Sequence, residues 1–159
     1  MYTLSRKQNI MSLQTAVMTA MKEAMKAKDQ NALTSLRAVK SAILLAQTES
    51  GAKEELTEEQ ELKLLQKLVK QRKDSAKIFT EQGRADLAEP ELAQAEVITQ
   101  FLPEQMSEDA IAAIVDEVIA ATGASGMKDM GKVMGQVNGK VAGKADGSTV
   151  ARIVKGKLA

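Results

Sequence analysis

The chain has 159 residues, twenty-two Lys/Arg against twenty-one Asp/Glu, and neither histidine nor cysteine. Those absences exclude disulfides, Cys/His zinc centres and thiol nucleophiles, and they remove the commonest general base. Aromatic residues are reduced to Tyr2, Phe79 and Phe101, so the core must be aliphatic. The prevalence of Ala, Leu, Met, Lys, Glu and Gln over β-branched alternation predicts an all-α fold.

No apolar run approaches the ~18 residues of a membrane span, and no secretory h-region is present. The expectation is a cytoplasmic protein with no membrane contact and no metal or cofactor. Residues 1–28 are basic and amphipathic, with Glu23 as the one acid, loosely like an organellar transit peptide. The simpler expectation takes Met11 as the natural start and residues 1–10 as an upstream extension.

Ser12 is a predicted N-cap for a first helix, with Leu13, Val17, Ala20, Met21 and Ala24 on one face. KAKDQN interrupts the pattern. Asp29 or Asn31 then caps a second helix to about Glu49, with Leu33, Leu36, Val39, Ile43 and Ala46 inward and Ser50-Gly51 ending it. Thr57-Glu58-Glu59-Gln60 reads as a capping box, opening a long helix to about Gln82 that Gly83 stops. A fourth helix covers roughly Ala85 to Phe101. Pro90 inside it predicts a separate or kinked first turn, and Pro103 closes the segment.

Ser107 caps a fifth helix whose first turn carries Glu108 and Asp109, matching the positive end of the helix dipole. Its apolar stripe is Ile111, Ile114, Val115, Val118 and Ile119, and Gly123 ends it. A short helix is expected from about Met127 to Val137, weakening toward Gly143. A last helix starts near Asp146 or Ser148, with Val150, Ile153, Val154 and Leu158 inward. The predicted architecture is two helical bundles: a four-helix part over 11–102, after the 1–10 extension, and a three-helix part over 103–159.

Charge is unevenly distributed. Residues 1–122 hold fifteen Lys/Arg against nineteen Asp/Glu, whereas residues 123–159 hold seven against two. A basic C-terminal segment is an electrostatic footprint for a polyanion. Lys63, Lys67, Lys70 and Lys77 form a second stripe on the third helix, with Lys73 at its edge; such a stripe is the normal solvated face of an amphipathic helix. Arg72 instead points from the apolar face, among Leu65, Leu68, Val69, Ala76 and Phe79. A guanidinium there must be paired or must snorkel. The expectation is a structural ion pair between Arg72 and Glu96, with an anion site between helices as the functional alternative.

Met130 to Ala145 repeats a four-residue unit, MGKV-MGQV-NGKV-AGKA, with glycines at 131, 135, 139 and 143. Each glycine costs a helix about 1 kcal/mol against alanine. A phosphate-binding Gly-rich loop is excluded, since no strand precedes the segment and the GxxxxGK[ST] spacing is absent. Two readings stay open. Residues spaced by four share a helical face, so the glycines can admit another helix closely; packing inside the small bundle is the favoured expectation. Alternatively they admit a nucleic-acid backbone, with Lys128, Lys132, Lys140 and Lys144 supplying charge.

MKDMGKVMGQV followed by GKADGSTVARIVKGKL resembles the tail of the GatB subunit of the glutamine-dependent aminoacyl-tRNA amidotransferase, and more closely the stand-alone YqeY-like proteins that share it. LRAVKSAI at 36–43, QKLVKQRKDSAKIFTEQGRADLA at 66–88 and FLPEQMSEDAI at 101–111 fit the same GatB/YqeY family. The resemblance covers about residues 11–159; Pro90 and the ten-residue extension depart from it. It implies a fold of one four-helix and one three-helix bundle, and a link to tRNA. The contacts it implies are Lys128, Gly131, Lys132, Gly135, Lys140, Gly143 and Lys144. The family label is carbon–nitrogen ligase with glutamine as amido-N-donor. The resemblance does not reach the phosphoryl-transfer core, however, and the sequence has no glutaminase-type serine run. The expected function is therefore tRNA binding, or association with a tRNA amidotransferase or synthetase, without catalysis by the chain alone. The alternative is a protein–protein adaptor docking through the glycine-rich helix.

Overall fold

The computed structural model describes residues 12–49 and 56–159. Seven α-helices occur among them: α1 Leu13–Ala27, α2 Gln30–Glu49, α3 Glu58–Glu81, α4 Ala85–Thr99, α5 Glu108–Thr122, α6 Met130–Lys140 and α7 Gly147–Leu158. A 3-10 turn over Met127–Asp129 leads into α6. No strand is present among the described residues, so the fold is all-α. Packing divides the chain into two compact units, with the boundary between Pro103 and Glu104.

Local chemistry accounts for the helix ends. The Ser12 hydroxyl accepts from the Thr15 amide at 3.2 Å and opens α1; Lys28, with φ 56°, closes it in the left-handed region. Asp29 is the cap of α2, its Oδ1 accepting from the Ala32 amide at 3.0 Å. The expected stop at Ser50-Gly51 lies outside the described residues. At α3 both halves of the capping box form: the Gln60 amide donates to Thr57 Oγ1 at 3.2 Å and the Thr57 amide donates to Gln60 Oε1 at 2.9 Å. Such a cap contributes about 1 kcal/mol. Gly83 ends the segment at φ 73°, where a side chain would be strained.

Pro90 does not separate a first turn: α4 is one helix from Ala85 to Thr99. The proline removes one hydrogen bond, that to the carbonyl of Asp86, close to the helix start. The turn before it is held by Leu87 and Ala88 amides, both donating to the Arg84 carbonyl at 3.1 Å. The helix also ends two residues earlier than expected. Phe101 and Leu102 leave it through tight turns to Ile98 and Thr99 and are buried instead.

The core of the first unit is aliphatic except for Phe101: Leu13, Val17, Leu36, Val39, Ile43, Leu65, Ile98 and Phe101 are nearly fully enclosed. The second unit packs Ile111, Val115 and Val118 of α5 against Val133 and Val137 of α6 and Val150, Val154 and Leu158 of α7. Each side chain of this size stabilises by about 1.5–3 kcal/mol when fully buried. No single helix among the described residues is long and apolar enough to cross a membrane.

Candidate nucleic-acid interface

The register of α6 follows from its valines. Val133 and Val137 are fully buried, while Met130 and Met134 pack beside them half-covered. At 100° per residue this orientation sends Gly131, Gly135 and Gly139 to the opposite side, and all three are exposed. A Cβ built on any of them meets nothing within 4 Å among the described residues. The favoured expectation, glycine packing inside the small bundle, is therefore wrong: valines do the packing, and the glycine row faces outward. Sequence periodicity placed the glycines on one face but could not say which face met the core.

Gly143 differs from the other three. It is buried in the turn after α6 at φ 75°. Its carbonyl accepts from Gln105 Nε2 at 2.9 Å, and the next carbonyl, of Lys144, accepts from the Met106 amide at 2.8 Å. It is a turn residue that ties the segment before α5 to the segment before α7, and it lies off the open face.

The basic residues divide as well. Lys140 pairs with Glu117 of α5 at 3.4 Å, Lys157 pairs with Asp116 at 3.2 Å, and Arg152 pairs with Glu108. Lys128, Lys132, Lys144 and Lys155 have no carboxylate within 4 Å among the described residues. The polyanion footprint read from residues 123–159 shrinks once the fold is known. The folded unit starts at Glu104 and includes α5, which brings Glu108, Asp109, Asp116 and Glu117. Over 104–159, seven basic residues meet seven acidic ones. Of the seven expected contacts, Gly131, Lys132 and Gly135 share the exposed side of α6, and Lys128 sits on the 3-10 turn leading into it. Lys144 is exposed beyond its far end.

The expected Arg72–Glu96 ion pair does not form. Arg72 Nε donates to Gln94 Oε1 at 3.2 Å, and Nη1 donates to the Leu68 carbonyl at 3.2 Å. Ala95 and Ile98 set the buried side of α4, which turns Gln94 toward α3 and leaves Glu96 in solvent. Arg72 is half-buried, so a neutral amide and a carbonyl satisfy it without a second buried charge. A different pair, missed from sequence, closes the α3–α4 turn: Arg84 grips Asp86 through two bonds of 3.0 Å. The Arg84 guanidinium holds the Asp86 carboxyl below its ordinary range, and Asp86 in turn raises Arg84. Arg-x-Asp at a helix start was its sequence signal.

Among the described residues, no group of three or more Asp/Glu could hold a metal ion. What the second unit offers is a smooth, side-chain-free strip on α6 bordered by uncommitted lysines. Residues 14–158 match the family of Yqey-like proteins. The chain belongs to the YqeY-like family. That family is related to the C-terminal region of GatB. Among curated relatives, "Altered inheritance of mitochondria protein 41, mitochondrial" of Clavispora lusitaniae is 37% identical over 91 residues, 57% of this chain and 52% of that protein. An uncharacterized protein of Schizosaccharomyces pombe is 33% identical over 98 residues, 62% of this chain and 78% of its own length. The matched segment thus spans about half of the first relative and over three quarters of the second.

Proposed function

We propose that this YqeY-like chain is a non-catalytic tRNA-binding protein whose contact surface is the open face of α6. The observation that supports this reading is the outward glycine row. Gly131, Gly135 and Gly139 each weaken α6, yet none admits a neighbouring atom among the described residues, so the described fold draws no packing benefit from them. A strip without side chains lets a sugar–phosphate backbone approach the helix closely, and the exposed Lys128 and Lys132 beside it supply charge for phosphates. Aromatic residues for base stacking are nearly absent from the sequence, which favours recognition of RNA shape and backbone. Lys140, held by Glu117, contributes less than its charge suggests.

The test is fluorescence anisotropy with labelled tRNA over a salt series, for the wild type and for Lys128→Ala/Lys132→Ala/Lys144→Ala. Three lost phosphate contacts lower the slope of log affinity against log salt by roughly 2–3. Equal slopes for the two proteins would remove these lysines from the interface.

The balanced charge of residues 104–159 supports a second reading, an adaptor that docks a protein helix on the same glycine strip, an amidotransferase subunit or a synthetase being the candidates. Co-purification of such a partner that survives nuclease treatment would favour it over RNA.

A further inference from the structure

The outer surfaces of α3 and α4 are oppositely charged. Between Leu62 and Thr80, α3 carries six basic residues and one acid; α4 carries Asp86, Glu89, Glu91 and Glu96 and no basic residue. The two helices run antiparallel about Gly83, and the Arg72–Gln94 hydrogen bond fixes their register. Each step back along α3 from Arg72 is therefore matched by a step forward along α4 from Gln94. Lys70 lies level with Glu96, Lys77 with Glu89, and Lys73 near Leu92.

These residues also share a face. Antiparallel right-handed helices wind in opposite senses when viewed end-on. Measured from the buried line of each helix, through Ala76 on α3 and through Ala88 and Ala95 on α4, Lys70, Lys73 and Lys77 turn to the same side of the hairpin as Glu89, Leu92 and Glu96. All six are exposed, and Leu92 retains 51% of its surface. One face of the hairpin thus has a basic edge, an acidic edge and an apolar residue between them.

We propose that this face docks a second copy of the same chain. A two-fold axis along the hairpin turns the face onto itself, so that α3 of one copy runs antiparallel to α4 of the other. Lys70 then meets Glu96 of the partner subunit, Lys77 meets the partner's Glu89, and the two Leu92 side chains come to one level beside the axis. Lys70, now 3.2 Å from Asp74, exchanges that intrahelical partner for an intermolecular one. The contact belongs to the small end of specific interfaces, under about 1,200 Å², so the dimer is weak and sensitive to salt. The proposal is independent of RNA binding by α6.

The test is sedimentation velocity of the full chain at about 50 mM and about 500 mM salt. It is run with two double variants, Lys70→Glu/Lys77→Glu and Glu89→Lys/Glu96→Lys, each checked for helix content by circular dichroism. The wild type should dimerise at low salt, with the dissociation constant rising about tenfold or more at high salt. Each variant alone should be monomeric, and an equimolar mixture of the two should dimerise. A wild type that stays monomeric at low salt overturns the proposal. So does a variant that still self-associates, or a mixture that does not.

Discussion

Arg72 on α3 and Gln94 on α4 are joined by a hydrogen bond of 3.2 Å, and Glu96, two residues along and on the far side of the helix, stays in solvent. The bond spans 22 positions of sequence and sets how the longest helix of the first unit lies against its neighbour. A charged group on an apolar face has been satisfied by an amide.

Gln94 and Glu96 should therefore respond oppositely to substitution. Gln94→Leu leaves the half-buried guanidinium one acceptor short and should cost about 1–3 kcal/mol in denaturant unfolding, as for other polar groups deprived of a partner. Glu96→Gln should fall within about 0.5 kcal/mol of wild type, as surface substitutions do. An equal loss from both would restore Glu96 as the partner.

Glycines of the C-terminal unit should split by backbone conformation. Gly131→Ala, Gly135→Ala and Gly139→Ala place a methyl in open space on a helix and should each stabilise by about 0.5–1 kcal/mol. Gly123→Ala, at φ 66°, and Gly143→Ala, at φ 75°, should each destabilise by about 1 kcal/mol or more. Thermal unfolding measures both sets, and destabilisation by the first set would mean that α6 packs through its glycines after all.

The Arg84–Asp86 pair predicts a small acid limb in stability. Asp86 has its carboxyl lowered chiefly by the Arg84 hydrogen bond, against a smaller opposing effect of desolvation. A lowered carboxyl contributes stability above its unfolded value and loses it as pH falls through its folded value. The contribution should be intact at neutral pH and fade below the ordinary carboxylate range. Both groups are fully exposed, so the effect is small. Asp86→Asn should flatten that part of the pH–stability curve relative to wild type while leaving neutral-pH helix content unchanged.

Much of the fold was legible because caps and stops are local. Ser12, Thr57 and Ser107 each declare a helix start by a hydroxyl three residues before the amide it accepts from. Gly83 and Gly123 declare ends by their positive φ. The site was less legible because its meaning depends on what each element packs against. Periodicity grouped Gly131 with Gly135 and Gly139, but only the burial of Val133 and Val137 shows that the group faces away from the core. Charge counting from Gly123 onward missed that α5 folds with α6 and α7, so that Glu117 reaches Lys140 and Asp116 reaches Lys157. Gly143 shares the repeat but belongs to a turn, because its carbonyl is needed by Gln105. The Glu96 expectation failed for a related reason: a wheel says which residues interrupt a stripe, not which of two neighbours the opposite helix meets.

The central claim is that the glycine strip of α6 receives an RNA backbone, and Gly131→Leu/Gly135→Leu tests it most directly. Leucine favours a helix over glycine and both positions are open, so the variant should melt no lower than wild type while its new side chains cover the strip. In anisotropy with labelled tRNA at low salt, wild type should bind and the variant should lose at least about tenfold in affinity, about 1.4 kcal/mol. Equal binding by the two proteins, or no binding by wild type, would contradict the account.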